Sequence, residues 1–235
     1  MTAPIGAALD RASQRRRSAV IWDVDGVILD SAEQHRQAWA TLAREQGFPY
    51  TDDAFWAGFG RRNGDVIPMM FGVDGPPERI AALGERKEQL YRALLVREAT
   101  PLPGAKELMA ALHAAGYKQA LGSSAPEENL ATIVRLLGLA AWLEATVSGE
   151  SVPRGKPAPD LFLAAAARLD VAPERNLVIE DAPAGVQAAH AAGMRCLAVR
   201  RAGQADAPGI ERADDVVDTL RAADVALVDR LLGIA

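Results

Sequence analysis

Four short apolar runs, each stopping at small or acidic residues, constrain this chain most. Ala19-Val20-Ile21-Trp22 runs into Asp23-Val24-Asp25-Gly26. Gln119-Ala120-Leu121 runs into Gly122-Ser123-Ser124, and Leu177-Val178-Ile179 into Glu180-Asp181. Cys196-Leu197-Ala198-Val199 is the last. Runs this short, closed by turn residues, read as buried strands. Helical stretches lie between them. Leu130, Ile133, Val134 and Leu137 repeat at helical spacing and stop at Gly138. Residues 161–169 open after Pro157 and Pro159, and residues 184–192 stop at Gly193. Strands alternating with helices of this length predict an α/β fold built on a parallel sheet. In such a sheet the chemistry sits at the carboxyl ends of the strands. The polar clusters just quoted lie there.

Residues 31–98 interrupt the alternation. They read as helices over 31–46, 52–58, 64–71 and 77–97, with no convincing strand. We expect a discontinuous core (1–30 plus 99–235) and a helical insert (31–98) able to act as a lid, hinged near Pro101-Leu102-Pro103-Gly104. Residues 1–17 carry few large apolar side chains and are expected to be a loose arm. A net charge of −5 gives no electrostatic footprint for nucleic acid. The single cysteine, Cys196, excludes an intrachain disulfide and fits a reducing, cytoplasmic setting. No apolar run reaches the roughly 18 residues of a membrane span. The cluster Arg15-Arg16-Arg17 precedes too short an apolar run to be a secretory signal. A monomer is the default expectation.

Asp23 and Asp25 flank one residue at a strand end, so extended backbone points both carboxylates to one side. Two acids beside an apolar strand need compensation, and a divalent cation supplies it. Magnesium suits a site of few carboxylates completed by waters and phosphate oxygens. Glu180-Asp181, after a second apolar strand, offers the remaining ligands. The competing reading makes both pairs turn or helix-capping residues. A calcium loop fails, because its fifth position would be Val27 and no Glu stands at the twelfth.

The ordered set resembles the haloacid dehalogenase-like superfamily over nearly the whole chain. Its elements are Asp23-Val24-Asp25-Gly26-Val27-Ile28-Leu29-Asp30, then Ser123, then Gly155-Lys156-Pro157-Ala158-Pro159-Asp160, then Glu180-Asp181-Ala182-Pro183-Ala184-Gly185. The stretch through Ser31-Ala32-Glu33-Gln34-His35 and Ala38-Trp39 is similar to the branch of β-phosphoglucomutase and sugar-phosphate phosphatases. The resemblance implies a Rossmann-like core with an inserted helical cap. It implies Asp23 as nucleophile, forming an aspartyl phosphate, and Asp25 as general acid and base. Magnesium is expected on Asp23, the backbone carbonyl of Asp25 and Asp181, with Glu180 beside them. Ser123, its neighbour Ser124, and Lys156 are expected to hold phosphoryl oxygens.

Substrate contacts are expected from the insert. His35 shares a helical face with Ala38, Trp39 and Leu42, and is placed to orient Asp25 or the substrate. Lys87 lies on the stripe of Ile80, Leu83, Leu90 and Leu94; it either snorkels or reaches a substrate phosphate. Arg61-Arg62-Asn63 resembles the family's specificity loop, and any of Arg61, Arg62 and Asn63 is a candidate contact. His113, His190 and Cys196 read as surface or packing residues, and Phe55, Trp56 and Phe59 as helix packing. A mutase of this branch is expected to carry Ser-Lys-Asn shortly after the motif serine, to grip a second phosphate. Here Ser124 is followed by Ala125-Pro126-Glu127-Glu128-Asn129, where only Asn129 offers a partial substitute. The departure favours a phosphatase of small phosphorylated metabolites over a mutase. A non-catalytic protein on this scaffold would be expected to lack Asp23 or a metal ligand, and neither is missing.

Overall fold

A computed structural model describes residues 5–200 and 208–234. Its centre is a parallel sheet of six strands: β1 (Ala19–Trp22), β2 (Lys118–Ser123), β3 (Ala145–Ser148), β4 (Asn176–Glu180), β5 (Arg195–Val199) and β6 (Asp215–Val217), in the order β3-β2-β1-β4-β5-β6. Strand alternation explains how both faces are filled. Val20 and Trp22 point into one core with Leu121, Leu177 and Ile179. Ala19 and Ile21 point into the other with Ala120, Val178 and Phe162. Helices α6 (Ala105–Ala115) and α7 (Glu127–Leu137) cover the first face, with α10 (Val225–Leu231) beside α6. Helices α8 (Asp160–Leu169) and α9 (Pro183–Ala191) cover the second.

Register and strand order fix the site. Trp22 pairs with Leu121 on one side and Ile179 on the other. The next row therefore brings together Asp23, Gly122 and Glu180. The Asp23 N–H donates to the Ile179 carbonyl at 3.0 Å. The chain winds from β1 through β2 to β3, then returns to the opposite side of β1 with β4. Strand order reverses there, opening a crevice at the carboxyl ends.

The insert forms α2 (Ala32–Gln46), α3 (Asp52–Gly58), α4 (Asn63–Phe71) and α5 (Pro77–Glu98), within a residue of the expected spans. It has its own core of Trp39, Leu42, Phe55, Ile67 and Phe71. Its two connections to the sheet run side by side: Leu102 N–H donates to Ile28 O at 2.8 Å and Asp30 N–H to Thr100 O at 3.1 Å. No helix of the described residues is long and apolar enough to cross a membrane.

The expected loose arm is instead a helix, α1 (Ile5–Arg16). Its anchor is polar, which the scarcity of large apolar side chains conceals. Arg15 pairs through Nε with Asp229 of α10 at 2.8 Å, and its Nη2 bonds the second oxygen of the same carboxylate. The Tyr117 hydroxyl donates to Asp229 at 2.6 Å. Strands β3 and β6 carry no long apolar run, so periodicity does not reveal them.

Candidate active site

The sheet edge gathers Asp23, Glu180 and Asp181, all buried, with ligand oxygens within 4.8 Å of one another. Lys156, one residue before the turn that opens α8, extends its ammonium among them. It donates to Asp23 Oδ1 at 2.6 Å and to Glu180 Oε1 at 2.5 Å, and lies 5.0 Å above the Phe162 ring. Burial pushes the lysine down, but the two carboxylates outweigh it and hold it charged. Asp23 is driven up well above the carboxylate range. Burial is the main cause; Lys156 pulls it down, while Glu180, Asp181 and Asp25 push it up. One ammonium thus does not compensate the cluster, and a divalent cation beside Asp23 and Asp181 is the chemistry this donor set fits. Glu180 fits less as a direct ligand. Its Oε2 accepts the N–H groups of Asp181 and Ala182, both at 2.8 Å, while Oε1 holds Lys156. The glutamate packs over Gly185, where a Cβ would fall 1.8 Å from Oε1. That close approach explains a glycine inside the first turn of α9.

Asp25 turns away from this cluster toward the insert. Its Oδ1 accepts from the Ser31 hydroxyl at 2.6 Å, the Tyr91 hydroxyl at 3.1 Å and His35 Nε2 at 3.3 Å. Burial raises this carboxyl, but His35, Ser31 and Lys87 together hold it well below its usual range. All three fall on Oδ1, and no hydrogen bond among the described residues falls on Oδ2. Behind His35, the Lys87 ammonium lies 2.9 Å from Nδ1. An ammonium has no lone pair to offer, so Nδ1 accepts and the hydrogen sits on Nε2. Burial and the lysine lower the His35 pKa, keeping the imidazole neutral. The ring stacks on Tyr91 at 3.8 Å, and burial keeps that phenol protonated.

Glu88 closes this network. It accepts from Lys87 at 2.8 Å, Asn63 at 2.7 Å and Asn129 at 2.6 Å. Between insert and core lies a cavity of about 790 Å³, lined by Asp25, His35, Phe59, Arg61, Asn63 and Ser124 among others.

Of the expected residues, Asp23, Glu180, Asp181 and Lys156 meet at the sheet edge, Asp25 stands on the insert side, Ser123 is buried at the end of β2 with its hydroxyl accepting from the Ala125 N–H at 3.1 Å, and Ser124 lines the cavity. Two residues expected at the substrate are engaged by protein groups. Asn129 is fully buried; its amide donates to Glu88 and its carbonyl accepts from Arg92 at 3.1 Å. Arg62 reaches the cavity wall, but its guanidinium bonds Val152 O at 3.0 Å and Pro153 O at 3.3 Å. Lys87 neither snorkels nor stands free; His35 and Glu88 hold it. Phe55 packs in the insert as expected, whereas Phe59 also faces the cavity. His113 and His190 are exposed, away from the site, and Cys196 is buried. Sequence reasoning missed Ser31, Tyr91 and Glu88. Only Tyr91 left a trace: it stands four residues after Lys87, on the same helical face.

Residues 18–193 match the family of haloacid dehalogenase-like hydrolases. A phosphorylated carbohydrates phosphatase from Thermotoga maritima is 31% identical over 180 residues, 75% of this chain and 82% of that protein. A beta-phosphoglucomutase from Bacillus subtilis is 36% identical over 191 residues, 77% of this chain and 82% of that protein. A crystal structure of beta-phosphoglucomutase from Clostridium difficile superposes with a TM-score of 0.82 at 24% identity, covering 92% of this chain and 97% of that one. The chain belongs to the haloacid dehalogenase-like hydrolases, in the branch of the sugar-phosphate phosphatases and β-phosphoglucomutases.

Proposed function

We propose that this enzyme hydrolyses small phosphomonoesters, namely sugar or polyol phosphates, with magnesium at the edge formed by Asp23 and Asp181. The observation that carries the reading is a division of labour between two aspartates. Asp23 lies in the charged cluster with Lys156; Asp25, two residues on, is held by neutral donors at the cavity wall. Environments that differ this much assign different tasks to like groups.

The Asp23 carboxylate attacks phosphorus and the ester P–O bond breaks, leaving an aspartyl phosphate. Lys156 holds phosphoryl oxygens, joined by the hydroxyls of Ser123 and Ser124. Asp25 gives the departing alkoxide its proton from Oδ2. The neighbouring phosphate dianion favours that protonated form, because like charges raise a carboxyl pKa. Asp25 then takes a proton from the water that attacks the aspartyl phosphate, returning Asp23 and releasing phosphate. His35, Ser31 and Tyr91 keep its geometry through both steps. Asp23, Asp181 and the Asp25 carbonyl would hold the magnesium, whose charge would offset that of the nucleophile and the phosphoryl group.

The Bacillus subtilis relative keeps a mutase reading in play. Against it, the core wall of the cavity is Ser124, Ala125, Pro126, Gly149 and Glu150, which contributes no cation for a second phosphate. The test is a phosphomonoester panel with magnesium, with and without a chelator, plus glucose 1-phosphate primed with a bisphosphate. The proposal expects metal-dependent phosphate release. Glucose 6-phosphate forming faster than free phosphate replaces it with the mutase, and no release from any ester overturns both.

A further inference from the structure

Arg62 stands on the insert loop that opens α4, yet its hydrogen-bond partners are on the core. Its Nη2 donates to Val152 O at 3.0 Å and Nη1 to Pro153 O at 3.3 Å. The core segment it grips is Val152-Pro153-Arg154-Gly155-Lys156, which ends on the lysine that holds Asp23 and Glu180. Three peptide links separate Pro153 from Lys156, Pro153 fixes its own φ, and Arg154 is tied to Asp160 at 2.8 Å. A change in how residues 152–153 are held is therefore a change close to the lysine.

A second observation fits the first. A Cβ on Gly155 would lie 2.8 Å from Arg62 Nε, 3.3 Å from Cδ and 3.4 Å from Cζ, and these are its three nearest neighbours. Gly155 has no left-handed backbone to explain it, so its missing side chain is the cradle for the arginine. The Arg62 Nε is buried without a hydrogen-bond partner, flat against that backbone.

We propose that Arg62 is a latch between lid and core: by gripping the carbonyls of residues 152 and 153 over the Gly155 cradle, it places Lys156 for the phosphoryl group when the insert closes. It is a positioning residue that acts through Lys156. The inference rests on the phosphatase reading for its catalytic consequence, and on geometry alone for the contact.

The experiment is a double-mutant cycle on Arg62→Ala and Gly155→Ala, with p-nitrophenyl phosphate and magnesium. That ester has no second anionic group, so an arginine reserved for one would not affect it. The latch predicts that each single change lowers kcat/KM by about 10- to 100-fold, the range for a misplaced group near the chemistry. It also predicts that the double variant is no worse than Arg62→Ala, because the new methyl then meets open space. Arg62→Lys, which cannot span both carbonyls, falls between. Guanidinium ion restores part of the Arg62→Ala loss. Two results overturn the latch: wild-type turnover in Arg62→Ala, or a Gly155→Ala cost that is the same in both backgrounds. The same four proteins are melted in parallel. Non-additive shifts in Tm are expected, and additive shifts refute the contact even where Gly155→Ala weakens folding. A wild type that releases no phosphate from this or any other ester counts against the phosphatase reading, while the melting cycle still decides the contact.

Discussion

At the scale of single residues, the site is a study in how neighbours set a carboxyl's task. Asp23 and Asp25 share a strand end and a residue type. One faces an ammonium and two acids, the other a hydroxyl, a phenol and an imidazole. The imidazole depends in turn on Lys87, which locks its tautomer. This chain of dependence is testable. His35→Asn and Lys87→Met should each lower kcat by about 10- to 100-fold, the usual worth of a proton-transfer arrangement, with KM nearly unchanged. The double variant should be far less than multiplicative, because both act on the same Asp25 oxygen. Steady-state kinetics on the best ester of the panel read this out; a strictly multiplicative loss contradicts the relay. The carboxylates themselves were legible in the sequence, since acids at the end of an apolar strand must be compensated. Glu88 and Asn129 were not. A charged side chain on a solvent-rich helix and a buried one satisfied by three donors look alike in sequence, and only packing of α5 against α7 tells them apart.

At the scale of elements, apolar periodicity announced the central strands and the insert helices, because each buries a face. It failed where polar contacts hold an element. Helix α1 is the clearest case: Arg15 and Tyr117 both bond Asp229, whose side chain is 9% exposed. Strands β3 and β6 lie at the two edges of the sheet, where alternation is weakest. Asp229→Asn should therefore cost about 2 kcal/mol, the worth of hydrogen bonds to a buried charge. Burial raises the Asp229 pKa, but Arg15 and Tyr117 more than reverse it, so the folded value is depressed. A depressed carboxyl contributes stability above its unfolded pKa, near 3.8, and loses it as pH falls through the folded value. The gap between wild type and variant in urea unfolding should be full at neutral pH and shrink in acid below the unfolded pKa. A gap that stays constant down to pH values well below that range contradicts the polar anchor of α1.

At the scale of the whole molecule, an acidic chain gathers three of its acids at one sheet edge around a single ammonium. The net charge is −5. The reversed strand order puts β1 and β4 side by side, so Asp23 converges with Glu180 and Asp181 although it is far from them in sequence. Beside this edge, the cavity between insert and core has Asp25 and His35 on its wall. That an insert exists was readable from the break in strand–helix alternation. How it meets the core was not, because Arg62 was expected at a substrate and binds backbone instead. Backbone carbonyls leave no mark in a sequence. The central claim is that the phosphoryl group passes through Asp23. The most direct measurement is acid-quenched turnover of a reactive phosphomonoester with magnesium, followed by peptide mass mapping of wild type and Asp23→Asn. The account predicts one added phosphoryl group on the peptide containing Asp23 in the wild type. It predicts none in Asp23→Asn, which keeps its melting behaviour but loses turnover. Phosphoryl label on another peptide, or near-normal turnover by folded Asp23→Asn, would contradict it.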